Sequence, residues 1–447
     1  MRLEQNSYTT TVPKNLLEIL DYRFGILLRG WIDSLDYDEP DLFFSSVDVS
    51  NIGRVANLSI KGNMRTSGVG CSIPDAIVRA IAEGIERYCT IFAQKFYDIK
   101  ISTYERLKKQ GKKAIDPDSL PLFSQAQYEQ ENFPFEQFTE STKVGWVKGL
   151  RLTDGQGIYV PAQLIFSDYK RRKNERLVGY STSSGCATDK SLFGALLKGI
   201  YEQIERDSLV VLWYSRIPPK KLDISKSKTL SEFFDQRMRK PNLEYHFLDA
   251  RLDISIPTVL CVSIDKRNSE LTAAIGASTN LNPEKATKKA LMETAQVRRT
   301  LKASLYLHPK PIIDSKKVRD LDSVARFYGH RDNIHFMEFL WGSGETVKLE
   351  MIPNNDEKRE GKNLKKVIEI LFMKNLSPIA FNLTTPDVQE LGLYVTRVFI
   401  PQLAQFANPM YPFLANRRIY EVQKIINEKV CLERKIDPAT LPPLPLP

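Results

Sequence analysis

The 447-residue sequence is 42% hydrophobic and 26% charged, with a formal net charge of +10. A chain of this length can hold two or three structural units with ample core, and no run of it approaches the ~20 apolar residues of a membrane span. Its five cysteines are scattered and odd in number, and its four histidines stand apart from the acidic clusters. This usage fits a reducing cytosol and argues against a zinc ribbon, a disulfide frame or a His-based triad.

The start, MRLEQNSYTTTVPKN, lacks the apolar core of a secretory signal. Residues 1–60 read as mixed helix and strand, with Val55–Lys61 alternating like a strand. In Gly68–Cys89 the dipeptide Gly70-Cys71 leads into a helical pattern on which Glu83, Glu86 and Arg87 stand at i, i+3 and i+4, sharing one face. Leu107–Thr142 is polar and Pro-broken and reads as a long connection. Trp146–Leu152 and Ile158–Phe166 flank Thr153–Gly157 as a β-hairpin. The basic clusters Lys108–Lys113 and Lys170–Lys173 lack the aromatic platforms of a nucleic-acid groove, so no nucleic-acid partner is expected.

Ser181–Trp213 is the stretch around which the chain is organised. Its small-residue start, STSSG, predicts a tight turn at Gly185 leading into a helix, with Leu192, Ala195, Leu196, Ile200 and Ile204 at helical spacing. Glu202, Glu205 and Arg206 repeat the earlier i, i+3, i+4 set at a constant offset of 119 residues (202 − 83 and 206 − 87). Thr258–Ile264 and Thr272–Ala277 read as a second hairpin. A third helix, Asn282–Lys302, carries Lys289, Glu293 and Gln296 on one face. Pro309–Leu349 has no clear pattern and Pro353–Lys366 reads as a charged loop. Val367–Phe372 reads as helix, Pro378–Leu383 as strand, and the end is LPPLPLP.

A lone ExxER is ordinarily a solvated ion pair. Two copies and a third acidic helix raise a sharper question. If the three helices converge, five glutamates cannot all stay ionised together without cations, and Mg²⁺ bridging a polyphosphate is the natural solution. If they do not converge, they are ordinary amphipathic helices. There is no GxxxxGK[ST], Gly68-Val69-Gly70 is not completed to GxGxxG, and no kinase motif set appears. Nucleotide chemistry would therefore fall to the carboxylate helices.

The stretches GVGCSIPDAIVRAIAEGIER, SSGCATDKSLFGALLKGIYEQIERD and IGASTNLNPEKATKKALMETAQ resemble the three nucleotide-site blocks of the YcaO family. Asn382–Leu403 resembles its C-terminal block, and Pro443-Leu444-Pro445-Leu446-Pro447 resembles the PxPxP tail of its azoline-forming branch. The resemblance implies an α+β YcaO-like fold with mixed and antiparallel sheets and helices converging on a Mg-ATP cleft. It implies a catalytic domain over 68–403, an N-terminal extension over 1–67 and a C-terminal segment over 404–447. The activity implied is ATP-dependent cyclodehydration of Cys, Ser or Thr in a ribosomally made precursor peptide to thiazoline or oxazoline, by amide-oxygen phosphorylation. Thioamide or macroamidine formation, or a non-catalytic scaffold role, are the alternatives.

Residue by residue, the resemblance implies Mg²⁺ ligation by Glu83, Glu86, Glu202, Glu205 and Glu293. Arg87, Arg206, Lys289 and Gln296 would contact the triphosphate or orient those carboxylates, with Ser183, Ser184 and Gly185 against the nucleotide. Glu202, Glu205 and the C-terminal Pro447 would be catalytic. Val69, Arg79, Ser184 and Lys289 depart from the family's usual Lys, Ser, Asn and Arg, which bears on the nucleotide contacts. With about 67 residues ahead of Gly68, no E1-like module is expected in the chain. A separate E1-like, leader-binding partner in the cytoplasm is implied instead. A flavin-dependent azoline dehydrogenase and a homodimer within a complex are further partners the family would allow.

Overall fold

A computed structural model describes residues 12–23, 25–33, 36–51, 53, 64–267, 271–427 and 437–445. The expected strand Val55–Lys61 and the catalytic expectation for Pro447 lie outside the described residues.

Strands β1 (Leu27–Ile32), β2 (Phe43–Val49) and β3 (Arg65–Gly70) pair antiparallel in that order as a three-stranded sheet. Next in the chain come β4 (Lys100–Ser102), β5 (Val144–Arg151), β6 (Gly157–Pro161), β7 (Cys186–Asp189) and β8 (Lys220–Asp223). They are followed by β9 (Leu243–Asp249), β10 (Thr258–Asp265), β11 (Ala273–Thr279), β12 (Thr346–Lys348), β13 (Ile379–Asn382) and β14 (Tyr394–Phe399). One sheet runs β4-β5-β13-β14-β7 with β6 on β5; another runs β11-β10-β9-β8-β12, in which only β12 and β8 are parallel. Both expected hairpins form, β5–β6 and β10–β11. The first is shorter than expected, because Pro161 ends β6 and Ala162–Leu164 turns as a 3₁₀ helix.

The main helices are α1 (Ile73–Phe92), α2 (Leu192–Ser215), α3 (Pro283–Leu307), α4 (Glu360–Met373) and α5 (Arg417–Asn427). The three acidic helices start alike. Ser72, Ser191 and Asn282 each accept a hydrogen bond from a first-turn backbone N–H, and α1 and α3 also place Pro74 and Pro283 in the first turn, where a missing N–H costs nothing. α1 lies on β2 and β3, α3 on β10 and β11, and α2 on β7 and β14. α2 is buried along nearly its whole length, covered further by α4 and α5. A Cβ on Gly276 of β11 would stand 2.2 Å from Thr294 N and 2.5 Å from Ala290 O, so glycine is what lets α3 lie this close to the sheet.

Two readings need correction. The approach to α2 is not a direct turn into helix. Gly185 makes the turn, at φ +82°, but the chain then forms β7 against β14 before Ser191 caps the helix. The charged stretch Pro353–Lys366 is also not all loop. From Glu360 onward it is the first half of α4, whose Leu364, Val367 and Leu371 at i, i+3 and i+7 are buried in the cluster that contains Leu196 and Ile200 of α2. Among the described residues no helix is long and apolar enough to cross a membrane.

Candidate active site

The three acidic helices converge. Each neutralises one of its own glutamates across a helical turn: Arg87 Nη2–Glu83 at 3.4 Å on α1, Arg206 Nη2–Glu202 at 3.5 Å on α2, and Lys289 Nζ–Glu293 at 3.2 Å on α3. The remaining charge is felt between helices. The Glu86 carboxyl is raised well above the usual carboxylate range by burial and then by Glu202 of α2. Burial pushes Glu205 up to about 8, and the negative Glu293 of α3 adds to it. Glu83 is raised by burial against the opposing pull of Arg87 and the Ser67 N–H, with Glu202 adding. Glu293 in turn is the main cause that pushes Lys289 up.

Depth separates these carboxylates. The Glu205 side chain is 5% exposed, whereas Glu83, Glu202 and Glu293 keep 32%, 24% and 30%. The arrangement is a recess that water reaches, walled by protein, with Glu205 at its floor and Lys289 half exposed at its rim.

Strand and loop backbone completes the recess. Ser67 of β3 donates its N–H to Glu83 at 3.2 Å, and Gln296 of α3 donates to Ser67 Oγ at 2.9 Å and to Ser67 O at 3.2 Å. The Gly185 N–H donates to Glu202 at 3.1 Å. Ser184 is buried, receiving the Thr182 hydroxyl at 3.1 Å, while the Ser183 carbonyl accepts from Cys186 N at 2.9 Å. Of the expected site residues only Pro447 is not placed. Two departures are also explained: Arg79 turns back to Asp75 at 2.9 Å, and Val69 packs into the core beside Ala286 and Ala290 of α3.

Three contributors escape the sequence reading. Ser67 sits just ahead of the Gly68-Val69-Gly70 run, so adjacency was the available signal. Arg397 of β14, 2% exposed, donates to the Thr182 carbonyl and braces the STSSG loop from beneath. Phe406 lies under the Arg206 guanidinium, 5.2 Å from it to the ring centroid. Nothing in the local sequence marks either of the last two.

The residues fit a magnesium nucleotide. Carboxylic acids driven toward protonation by burial and then by one another call for a cation, while the buried Arg206 Nε, without a hydrogen-bond acceptor among the described residues, calls for an anion. Among the described residues, no three His, Cys, Asp or Glu side chains are gathered tightly enough to cage an ion alone. Mg²⁺ does not need such a cage, since it keeps waters and takes one or two carboxylates together with phosphate oxygens.

The family model described as YcaO cyclodehydratase, ATP- and Mg²⁺-binding, matches residues 67–404. The chain belongs to the YcaO family. ATP and Mg²⁺ are thus its cofactors, and the family is one of ATP-dependent enzymes. An uncharacterised protein of Methanothermobacter thermautotrophicus is 26% identical over 363 residues, 79% of this chain and 84% of that one. An uncharacterised protein in the tfuA 3′ region of Rhizobium leguminosarum bv. trifolii is 25% identical over 294 residues, 62% of each chain. Among solved structures, a heterocyclase in complex with substrate and cofactor has the same fold at TM-score 0.76 and 20% identity; it covers all of this YcaO chain, which spans 59% of its length. The YcaO protein of Methanopyrus kandleri bound with AMPPCP and Mg²⁺ follows at TM-score 0.60 and 19% identity, covering 89% and 88% of the two chains. A chain of the E. coli microcin synthetase McbBCD complex with pro-MccB17 bound gives TM-score 0.59 and 16% identity, covering 94% and 96%.

Proposed function

We infer that this chain is the ATP-dependent cyclodehydratase of a peptide-modifying system, closing Cys, Ser or Thr side chains onto the preceding amide. The observation that carries the reading is the convergence of five glutamates from three helices, each helix supplying its own cation, in a YcaO chain. When bound, Mg²⁺ and ATP supply the phosphoryl group that makes the amide oxygen, otherwise a very poor leaving group, depart as phosphate.

The chain's own residues bind, orient and hold protons. Glu83, Glu86, Glu202, Glu205 and Glu293 would share Mg²⁺, and Arg87, Arg206 and Lys289 would face the phosphates. Gln296 fixes Ser67, and through it the Glu83 carboxylate. The Gly185 N–H orients Glu202 while Ser183 and Ser184 wall the nucleotide side. Catalysis of this kind is positioning and charge compensation, so small displacements of these groups cost rate. We place the carboxylate of Pro447 beside the reacting amide as a proton acceptor. The microcin synthetase complex and the substrate-bound heterocyclase support a peptide substrate and partner proteins for this chain. We take the partner to be a separate leader-binding, E1-like protein, with a flavin-dependent dehydrogenase as an optional third component.

The test is Glu202→Gln, which keeps shape and removes charge. Mg²⁺-dependent ATP turnover, measured with the partner and precursor peptide, should fall at least ~100-fold with the fold intact. The wild-type product should lose one water per ring by mass spectrometry. Near-normal turnover in the variant, or a peptide that gains sulfur instead, would overturn the reading.

A further inference from the structure

Arg206 is held unlike Arg298 and Arg418. Arg298 and Arg418 are locked by short bonds, Arg298 to Glu39 at 2.6 Å and Asp265 at 2.9 Å, and Arg418 to Asp207 and Asp253 at 2.5 Å. Arg206 instead reaches Glu202 at 3.5 Å and Glu205 at 3.8 Å, and its buried Nε has no hydrogen-bond acceptor among the described residues. Its planar group is carried by the Phe406 ring, with 5.2 Å from guanidinium carbon to centroid. Stacking uses the face of a guanidinium and leaves its N–H edge free for phosphate oxygens.

Phe406 is itself fixed from two sides. The preceding Ala404 N–H donates to Asp207, the residue after Arg206, at 2.8 Å, and the Asn408 N–H donates to Tyr180 Oη at 2.7 Å. Phe406 also lines a cavity with Val210, Tyr214 and Leu444, the last belonging to the C-terminal tail. That tail is pinned just upstream, where Trp213 Nε1 donates to the Pro442 carbonyl at 2.8 Å and Tyr328 Oη to the Pro443 carbonyl. The tail's Leu444 and the Phe406 ring that carries Arg206 therefore border one small cavity.

We propose that Phe406 is a positioning residue that couples the docked C-terminal tail to Arg206, so that nucleotide affinity reports whether the tail is seated. The coupling rests on the reading that Arg206 meets the nucleotide's phosphates. With Leu444 in place the cavity beside the ring stays small and the guanidinium presents its edge. With Leu444 removed the ring gains room, and Arg206 falls back toward Glu202 and Glu205.

The experiment measures the Kd of a non-hydrolysable ATP analogue with Mg²⁺ on the full chain, alongside thermal unfolding. Phe406→Leu, which keeps apolar bulk and removes the ring, should weaken binding about 3- to 10-fold, whereas Phe406→Trp should bind as wild type or tighter. Leu444→Ala should weaken binding about 2- to 3-fold in the wild-type background and have no further effect on Phe406→Leu, the non-additivity of residues in one line. Wild-type Kd in Phe406→Leu, or additive losses in the double variant, would overturn the coupling while leaving the nucleotide site standing. Arg206→Gln separates the two levels: if it binds the analogue normally, the phosphate reading of Arg206 fails and the coupling with it. Should Phe406→Leu fold poorly, the Phe406→Trp and Leu444→Ala arms decide alone, since loss of affinity in the first or none in the second contradicts the proposal.

Discussion

Glu205 is an acid whose ordinary ionisation has been taken away by its surroundings. Burial is the larger cause and the Glu293 charge the second, and together they push it up to about 8. Metal takes the carboxylate and not the acid, so filling the site near neutral pH must expel that proton. Binding of Mg²⁺ with an ATP analogue at pH 7 should release protons, measurable as a buffer-dependent heat, and Glu205→Gln should reduce the release by about one. Apparent affinity should rise with pH until about 8 and then level. The metal-free protein should show the opposite trend in stability. A carboxyl raised from 4.5 to about 8 stabilises the fold fully below its unfolded value and loses that contribution as pH climbs through its folded one. Metal-free protein should thus unfold more readily at pH 8.5 than at pH 6, and a flat profile would contradict the burial. The position of Glu205 was legible from the ExxER spacing. Its protonation was not, because the second cause sits on another helix.

Among elements, α3 shows how the site is held from outside. Its upper face carries Lys289, Glu293 and Gln296, and its lower turns carry Arg298 and Lys302. Arg298, 2% exposed, bridges Glu39 of the N-terminal segment at 2.6 Å and Asp265 of β10 at 2.9 Å, and Lys302 adds Asp36 at 2.7 Å. Asp265 would be raised by its burial, but the Arg267 hydrogen bond and then the Arg298 charge win and hold it at about 2. Its contribution to stability is therefore present above 3.8 and lost only as pH falls through about 2. Arg298→Met leaves Asp265 to Arg267 and Glu39 to Lys302 but removes their shared buried cation, and should cost about 1.5–3 kcal/mol in urea unfolding. A loss under about 1 kcal/mol would show the network to be solvated surface. The three acidic helices could be read from spacing and caps alone. β7 could not: a four-residue strand has no period of its own, and Cys186–Asp189 is extended only because β14, far along the chain, pairs with it. The helical start of α4 was hidden by its charge, although Leu364, Val367 and Leu371 kept the spacing.

For the whole molecule the open question is how the C-terminal tail divides between holding the fold and serving the reaction. Through Pro445 it is part of the fold: Leu441 and Leu444 pack on the cluster around Trp213 and Phe327, and the Pro442 and Pro443 carbonyls accept from Trp213 and Tyr328. It docks through Trp213 on the same helix, α2, that carries Glu202 and Glu205 about two to three turns earlier, which supports the reading that the tail heads toward the carboxylates. Removing residues 441–447 forfeits two apolar side chains and two hydrogen bonds, a loss of roughly 2–4 kcal/mol in denaturant unfolding. Removing only Leu446 and Pro447 breaks none of those contacts. If Pro447 accepts a proton from the reacting amide, this shorter deletion should cut peptide cyclisation steeply while unfolding stability and the Kd of a non-hydrolysable ATP analogue stay at wild-type values. If both deletions lower stability and cyclisation in proportion, the tail acts as a clamp throughout. A shorter deletion that cyclises at the wild-type rate would remove Pro447 from the chemistry and leave Leu444 as the last residue with work to do.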